Sequence, residues 1–296
     1  MAQSKNKNIA VIYTIAAVLA LLYILSFVII TPANGRKLKK QQLILLHEAD
    51  ISNIDGIFIQ NENGAVIISC QNNMWLIADA ADPLKKIPAD TERLQKLFLL
   101  LLQKHEISKI SDPSSEQNFQ NFNTTITLFK NSVEYQTISF GELDFAQTHR
   151  YFSTSELKGA FLIDTSFDVY LSSSVQTWSD PYIISRQLKD DVFQMGEPQG
   201  ILLQAKEPID FIKLFELRHG GIADVIPQGN PELSFTINMG DKSTITLEIQ
   251  SITEGKDEAA EYAVKTTFDS SRLNKNYSYT TKISLWTYNK IKEIML

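Results

Sequence analysis

Residues 57–70 read IFIQNENGAVIISC, two apolar runs rich in β-branched and aromatic side chains on either side of the polar turn Asn61-Glu62-Asn63-Gly64. Such runs around a glycine-containing four-residue loop predict a β-hairpin. Met74-Trp75-Leu76-Ile77 follows closely and predicts a third strand. The first folded part of the chain is therefore expected to begin with an antiparallel sheet.

A helix is predicted after this sheet. Asp90 follows Pro88-Ala89 and is a suitable N-cap, because its short carboxylate can accept hydrogen bonds from the first turn of a helix. Apolar residues then recur at i, i+3, i+4 and i+7, which places them on one helical face: Leu94, Leu97, Phe98 and Leu101. We expect this face to pack against the sheet.

The first half continues with two further predicted hairpins and a second helix. The hairpins cover residues 125–140 and 150–163, with turns at Lys130-Asn131-Ser132 and near Gly159. The helix is predicted from apolar residues at helical spacing: Phe167, Leu171, Val175 and Trp178. Pro181 follows and would stop this helix.

A similar order of elements returns in the second half. A hairpin is predicted at 192–205, a helix at 207–215, another hairpin at 233–252, and then two strands and a last helix that carries Trp286 and Ile294. We interpret the whole as an α+β fold of two tandem repeats, 51–185 and 186–296, each a mostly antiparallel sheet with about two helices. Independent convergence on a common α+β order is the alternative.

An uncharged apolar run of 22 residues, IAVIYTIAAVLALLYILSFVII, occupies positions 9–30. A helix of this length can cross the roughly 30 Å hydrocarbon core of a bilayer. The run predicts one transmembrane helix between a short tail, 1–8, and a basic flank and stalk, 31–50. A cleaved signal peptide is the alternative, although the apolar region of a signal peptide is normally shorter.

Two features bear on the orientation of this span. The basic residues after it, Arg36, Lys37, Lys39 and Lys40, outnumber Lys5 and Lys7 before it, which by itself favours an intracellular C-terminal domain. A very short N-terminal tail is instead typical of an uncleaved signal anchor. With the family resemblance given below, we predict a single-pass cell-membrane protein whose N-terminus is inside and whose bulk is extracytoplasmic.

The composition limits the partners of this protein. The chain contains 28 Lys and Arg against 34 Asp and Glu, a formal net charge of −6, and no basic cluster beyond residue 40. Nucleic acid is bound largely through neutralised phosphates, so we exclude it as a partner. Cys70 is the single cysteine, which rules out an intrachain disulfide. It ends an apolar run, and we expect a buried small hydrophobe rather than a nucleophile.

No catalytic, cofactor-binding or metal-binding residues are predicted. Nucleophilic catalysis needs a Ser or Cys beside a His base and an orienting acid, but the four histidines lie in separate predicted elements: His47, His105, His149 and His219. His105 and His219 are expected at the ends of two helices, where a histidine interacts favourably with the helix dipole. The spacings typical of metal ligands or phosphate-binding loops do not occur.

Two acidic pairs and three tryptophans are candidate binding residues. The pairs Asp79 with Asp82 and Asp190 with Asp191 could perform glycosidase-type acid–base work, but both lie in predicted loops, where solvation explains them. A tryptophan could stack on a sugar or a partner. Each one falls on the apolar side of its element, so we expect all three in the core: Trp75, Trp178 and Trp286.

Several short motifs resemble the DUF4340 family, a membrane-anchored domain of unknown function. They are the aromatic strand at Trp75, the helix start at Ala89-Asp90, and four blocks further on: Phe140-Gly141-Glu142, Arg150-Tyr151-Phe152, Phe161-Leu162-Ile163-Asp164 and Trp178-Ser179-Asp180. Ser179 is a departure, since an arginine is usual there. The resemblance implies an envelope protein encoded beside ABC transporters of the gliding-motility type, and it carries over no active site.

Three hypotheses of function follow from these patterns. The first is a non-enzymatic, single-pass membrane-anchored envelope protein that binds a protein partner, by resemblance a subunit of an ABC-transporter assembly, with the bilayer contacted through residues 9–30. The second is an extracytoplasmic ligand- or glycan-binding module with a cleft between the two repeats. The third, an envelope hydrolase, lacks a supporting constellation. No cofactor is expected in any of them.

Overall fold

The computed structural model describes residues 40–110, 122–157, 159–188, 198–201, 213–223, 229–239, 242–252, 260–270 and 275–295. These residues form two antiparallel sheets with short helices beside them. Each sheet has its own hydrophobic core, one built around Ile57, Ile68 and Trp178 and the other around Leu247, Val264 and Ile291.

The large sheet has ten strands. They are β1 (Lys40–Ile44), β2 (Ile54–Asn61), β3 (Gly64–Gln71), β4 (Met74–Asp79), β5 (Ile87–Pro88), β6 (Lys104–Lys109), β7 (Thr124–Lys130), β8 (Val133–Leu143), β9 (His149–Thr154) and β10 (Phe161–Asp164). Their order across the sheet is β1-β6-β10-β9-β8-β7-β2-β3-β4-β5, and neighbouring strands run antiparallel.

The hairpin predicted over residues 57–70 is confirmed as β2 and β3. Its register pairs Asn61 with Gly64, and Gly64 has a φ of +147°, a conformation that a residue without a Cβ adopts most readily. Alternate residues face the core, as the two-residue period of a strand requires: Ile57, Ile59, Val66 and Ile68. The third strand predicted at Trp75 is β4, which pairs with β3.

Helices whose bounds lie inside the described ranges are short. They are α1 (Glu48–Ile51), α2 (Thr91–Leu102), a 3-10 helix (Thr165–Tyr170), α3 (Val175–Trp178) and, after the last strand, α4 (Leu285–Met295). Helix α2 is the one predicted from its apolar stripe. The Asp90 carboxylate accepts a hydrogen bond from the Arg93 N–H at 3.1 Å, and the stripe residues are buried. The N-cap prediction is therefore confirmed.

The small sheet has five described strands. They are β11 (Pro198–Ile201), β12 (Leu233–Met239), β13 (Thr244–Ser251), β14 (Glu261–Ser270) and β15 (Lys275–Ser284), in that order across the sheet. Strand β13 alternates strictly, with Ile245, Leu247 and Ile249 buried and their neighbours more exposed. The helix α4 packs against β14 and β15 and closes this core.

The predicted α+β fold of two tandem repeats is wrong. Antiparallel sheet dominates the structure, one sheet has ten strands and the other five described ones, and the helices are minor. The order β11-β12-β13-β14-β15 does match the order β2-β7-β8-β9-β10 of the large sheet. The large sheet is extended at both ends of this shared arrangement, because β1 and β6 join one side and β3 to β5 join the other.

One predicted helix is broken into two pieces. The apolar stripe from Phe167 to Trp178 predicted a continuous helix, but the structure has a 3-10 helix, a non-helical stretch 171–174 and then the single turn α3. The stretch contains Ser172, Ser173 and Ser174, and serine hydroxyls compete with the backbone for helical hydrogen bonds. The periodicity was real, but the side chains between the apolar positions favoured a bend.

The predicted membrane topology is also overturned. A transmembrane helix needs about 20 residues, whereas α2, the longest helix within the described ranges, has 12, and none of the helices there is long and apolar enough to cross a membrane. The prediction of a single-pass localisation was based on the run at 9–30, which lies outside the described residues. Residues 31–39 of the basic flank lie outside them as well. Part of the predicted stalk, Lys40–Ile44, is instead strand β1 paired with β6.

Candidate functional site

An open cleft with a volume of about 810 Å³ lies where the two sheets approach each other. Strands β5 and β15 come into contact there. The large sheet contributes the β2–β3 turn, the loop after β4 and the serine segment, which we define as Ser172–Ser174. The small sheet contributes Lys282 of β15 and a strip alongside it, 220–223, which we call the glycine wall.

The serine segment is wrapped around a buried tryptophan. The indole Nε1–H of Trp178 donates to the Ser172 carbonyl oxygen at 2.7 Å, and Trp178 is fully buried. The Ser172 hydroxyl donates to Thr177 Oγ1 at 3.0 Å, and the Ser174 N–H donates to Ser172 Oγ at 3.3 Å. The segment is therefore held in shape from inside, with the exposed Ser174 directed away from the core.

Asn61 joins the serine segment to the β2–β3 turn. Its Nδ2 donates to the Leu171 carbonyl oxygen at 3.1 Å, and its Oδ1 accepts from Ser173 Oγ at 2.6 Å and from the Asn63 N–H at 2.9 Å. Gly64 lies close to this contact, and its φ of +147° is the constraint that favours glycine there. One side chain thus fixes two walls of the cleft against each other.

Several cleft side chains keep their hydrogen-bonding capacity. Within the described ranges, the side chains of Asn63, Ser174 and Gln176 make no hydrogen bond, and all three line the cleft. Each can both donate and accept. These groups are the ones that a bound molecule would find available.

The last residue of β4 and the loop after it add charged groups. Asp79 Oδ1 accepts from the Ala81 N–H at 2.8 Å, and Asp82 Oδ2 forms an ion pair with Lys85 Nζ at 2.9 Å. Asp79 and Asp82, the acidic pair weighed from the sequence, therefore both line the cleft. One of the two is neutralised by a lysine, which does not resemble a general acid opposite a general base. Asp190 and Asp191 lie outside the described residues.

The glycine wall runs along the edge of β15. The Gly220 N–H donates to the Lys282 carbonyl oxygen at 2.7 Å, and the Lys282 N–H donates back to the Gly221 carbonyl oxygen at 2.9 Å. Gly221 has a φ of +124°, which strains any residue with a Cβ. Ile222 then forms an isolated antiparallel bridge with Thr281. The paired glycines let the backbone itself form this side of the cleft.

His219 holds the glycine wall to the linking segment, which we define as residues 180–188, between the large sheet and the small one. Its Nε2 contacts the Asp180 carbonyl oxygen at 2.6 Å, and its Nδ1 accepts from the Gly221 N–H at 2.9 Å. Since a carbonyl can only accept and an N–H can only donate, the ring is neutral with its proton on Nε2. Burial lowers the pKa of His219, which favours this neutral form.

Beneath the cleft, Asp180 and Tyr279 tie the linking segment together. Asp180 is only 3% exposed, and its carboxylate accepts from Ser185 Oγ at 2.8 Å and from the Arg186 N–H at 2.6 Å. The Tyr279 hydroxyl donates to the Ile183 carbonyl oxygen at 2.9 Å and accepts from the Ser185 N–H at 3.0 Å. Burial raises the pKa of both Asp180 and Tyr279.

The four histidines are not brought together. His47 precedes α1, His149 lies in β9 beside Asp144, and only His219 is adjacent to the cleft. The Nε2 of His105 lies 2.8 Å from the Leu100 carbonyl oxygen near the end of α2, as the helix-end prediction requires. The same prediction is wrong for His219, which contacts Asp180 instead. In the ranges the structure covers, no three metal-ligating side chains cluster.

The tryptophans divide into two groups. Trp178 is fully buried and Trp75 packs against the same core, as predicted. Trp286 is 65% exposed at the start of α4, so its predicted burial is wrong. None of the three lines the cleft.

Sequence reasoning missed most of the cleft. Asn61 was assigned only to a turn, and the serine segment was placed inside a helix. The signals were present as three consecutive serines and as the Gly220-Gly221 pair after His219. Their role depended on the opposite wall of the cleft, which is distant in sequence.

In comparisons with protein-family models, curated proteins and solved structures, no family, protein or structure matched this chain. The DUF4340 resemblance therefore stays a prediction.

Proposed function

We propose that this chain is a non-enzymatic binding protein that takes a small, hydroxyl-bearing polar solute into the cleft between its two sheets. The observation that carries the proposal is the convergence of five separate chain segments on one open cleft, with Asn63, Ser174 and Gln176 left with hydrogen-bonding capacity. Its volume of about 810 Å³ falls within the range of small-molecule sites.

The lining chemistry favours a solute that is bound by hydrogen bonds. Serine hydroxyls and asparagine and glutamine amides offer both donors and acceptors, which suits hydroxyl groups that also do both. Two carboxylates, Asp79 and Asp82, and two ammonium groups, Lys85 and Lys282, leave the cleft without a strong net charge. No aromatic side chain belongs to the described lining, so we expect sugar rings to be held at their edges rather than stacked.

The arrangement of reactive groups supports the non-enzymatic part of the proposal. Hydrolysis would need a nucleophile or a water activated by a base. The Ser172 hydroxyl donates to Thr177, the Ser173 hydroxyl donates to Asn61, and Asp82 is paired with Lys85. The nearby imidazole of His219 has both nitrogens occupied by backbone groups. The polar groups of the cleft are therefore arranged to position a ligand.

The test is a ligand screen on the full-length chain. Thermal shift and isothermal titration calorimetry would be run with neutral mono- and disaccharides, glycan fragments and polyols, and with zwitterionic amino acids as a comparison set. Ser174→Phe fills the cleft without removing a hydrogen bond made by its side chain, and should weaken binding at least about tenfold. Ser234→Phe is the matched control, because Ser234 is an exposed residue of β12 outside the cleft.

Three outcomes would count against this proposal. Absence of binding across the panel would overturn it. Binding that survives Ser174→Phe would place the solute elsewhere. Binding confined to the amino acids would show that the ligand is a zwitterion and not a neutral hydroxyl-bearing solute.

A second function, binding of a protein partner, is favoured by the loop between β8 and β9. Phe145 at its tip is fully exposed, and the loop is held rigid, because Asp144 Oδ1 accepts from the N–H groups of Thr148 and His149 at 2.8 and 3.1 Å. An aromatic side chain presented on a preorganised loop is typical of an interface anchor. By the family resemblance, the partner would be a subunit of an ABC-transporter assembly.

This second function is tested by co-purification of the tagged full-length chain from gently solubilised native cells. Stoichiometric recovery of a transporter permease and ATPase, lost in Phe145→Ala but kept in Val133→Ala, would support it. Val133 is the control because it is another exposed apolar residue, at the start of β8. Recovery of the chain alone, under conditions that keep a known complex intact, would argue against a partner.

A further inference from the structure

His219 stands at one end of the glycine wall and makes two directed contacts through one ring. Nε2 lies 2.6 Å from the Asp180 carbonyl oxygen, and Nδ1 lies 2.9 Å from the Gly221 nitrogen. The first joins the imidazole to the linking segment, and the second joins it to a residue that lines the cleft. The imidazole therefore connects the linking segment to the glycine wall, which forms one side of the cleft.

We propose that His219 is a positioning residue of the cleft, whose neutral form holds the glycine wall in place and whose protonation releases it. A second proton would go to Nδ1, the atom that accepts from the Gly221 N–H. Two N–H groups would then face each other at hydrogen-bonding distance, and that hydrogen bond would be lost. The contact from Nε2 to Asp180 would remain, so the change is confined to the side of the ring that faces the wall.

Apart from His219, the restraints on the glycine wall at this point come from the backbone. Gly220 and Gly221 have no side chains to pack, and a Cβ built on Gly221 would meet no atom within 4 Å. Beyond His219, the wall is held by backbone hydrogen bonds to β15, which involve Lys282 and Thr280. Loss of the His219 contact therefore frees the Gly221 N–H, while the Gly221 carbonyl oxygen keeps its bond to Lys282.

The charged and titratable groups around His219 belong to three packed elements, and each already has a partner. In the linking segment, the Asp180 carboxylate accepts from Ser185 and Arg186, and the Arg186 guanidinium lies over the Tyr182 ring. In the segment that carries His219, the guanidinium of the preceding residue, Arg218, lies over the same Tyr182 ring.

In β15, the third of these elements, Tyr279 bonds to Ile183 and Lys282 pairs with Glu261. Burial also raises the pKa of the Asp180 carboxyl, so the variants of His219 described below are needed to assign a change at the wall to the imidazole. Burial lowers the pKa of His219, which places the release on the acid side of neutrality.

This inference rests on the proposed function only where it concerns affinity, since the state of the wall is measurable without any solute. The first experiment follows the Gly221 amide of the full-length chain by hydrogen exchange with NMR detection from pH 7.5 to 5.0. We expect the protection factor of Gly221 to fall about tenfold as the His219 ring titrates, the effect of losing one net hydrogen bond. Amides of β7 and β8 should keep their protection.

Variants separate this role from a merely structural one. His219→Asn places an amide oxygen near the position of Nδ1 and does not titrate in this range, so Gly221 protection should stay constant with pH. His219→Leu should lower it at every pH. His149→Asn is the matched control, because His149 lies in β9 away from the cleft, and it should leave the pH profile of Gly221 as in the wild type.

Once a solute is identified, its affinity should fall with the same midpoint, and His219→Asn should abolish that dependence. A Gly221 protection factor that stays constant while the His219 ring titrates would overturn the inference. So would a His219→Asn variant with the wild-type pH profile. If the wall responds to pH as expected but no solute binds, the positioning role stands and the proposed binding function is the part that fails.

Discussion

The side-chain amide of Gln187 pairs with both backbone polar groups of Trp75. Its Oε1 accepts from the Trp75 N–H at 2.8 Å, and its Nε2 donates to the Trp75 carbonyl oxygen at 2.8 Å. The same Nε2 lies 3.0 Å from the Ala89 carbonyl oxygen. The Gln187 amide thus makes the two hydrogen bonds to Trp75 that a neighbouring strand of β4 would make. Gln187 belongs to the segment that leads to the small sheet.

Replacement of Gln187 by leucine is expected to destabilise the fold. It leaves the Trp75 N–H without its acceptor in a partly buried place, which costs about 1–3 kcal/mol of the free energy of unfolding. Urea denaturation of the full-length chain measures this loss. Gln95→Leu, at an exposed position of α2, is the control and should change stability by less than about 0.5 kcal/mol. Equal effects of the two substitutions would show that the Gln187 contacts carry no stability.

Asn61→Ala should loosen the cleft and lower stability together. The substitution removes hydrogen bonds to Leu171, Ser173 and Asn63, each with a net contribution of about 0.5–1.5 kcal/mol. Urea denaturation should show a loss of about 1.5–4.5 kcal/mol over the three bonds, and calorimetry should show weaker solute binding. Asn289→Ala, at an exposed position of α4, is the control for the loss of an amide. An Asn61→Ala variant with unchanged stability and unchanged binding would contradict the role of Asn61 in joining the two walls.

Asp180 should make the wild type less stable, relative to Asp180→Asn, as the pH rises. Burial raises the pKa of Asp180 above its ordinary value of 3.8. A group whose pKa is raised on folding contributes stability that is complete below the unfolded pKa and is lost as the pH rises through the folded pKa. As the pH rises from about 4 through the raised pKa of Asp180, the difference in the free energy of unfolding should therefore move in favour of the variant.

The measurement for Asp180 is urea denaturation of both proteins at pH 4, 5, 6 and 7. Asparagine cannot reproduce every hydrogen bond of the carboxylate, so a pH-independent offset between the two proteins is expected. Only the change of the difference with pH tests the pKa of Asp180. A difference that is constant, or that moves in favour of the wild type, is the contrary result.

Cys70 is expected to react slowly with alkylating reagents. Burial raises the pKa of its thiol, and the negative charge of Asp55 adds to that effect. Since the thiolate is the reactive form, iodoacetamide at pH 7.5 should modify the folded chain several-fold more slowly than the chain unfolded in urea. Mass spectrometry of timed samples measures both rates. Equal rates would show that Cys70 is neither protected nor shifted in the folded state.

Asp144→Ala should release the loop that presents Phe145. The variant loses the acceptor of the Thr148 and His149 N–H groups, so protection of those two amides from hydrogen exchange should fall. Phe145→Ala should leave the same amides protected, because the ring is fully exposed and makes no packing contribution. If Asp144→Ala leaves exchange unchanged, the loop owes its shape to other contacts.

Local patterns predicted the elements whose causes are local. The β2–β3 hairpin follows from alternation around a glycine-containing turn, and α2 follows from an Asp90 cap and an apolar stripe. The stripe from Phe167 to Trp178 failed because periodicity records which side chains face a core. It does not record whether the backbone between them stays helical, and here the serine segment left the helix to bond with Asn61 and Thr177.

The sequence by itself determined the antiparallel hairpins, the capped helix and the acidic, cysteine-poor composition, because alternation, capping and charge act between residues close together in the chain. Only the tertiary structure decided that the large sheet has ten strands, that Asn61 meets Leu171 across 110 positions, and that Gln187 pairs with Trp75 across 112. The cleft and the His219 contacts arise from such distant pairs. Many alternative partners satisfy a local pattern equally well, and packing of the whole chain selects one of them.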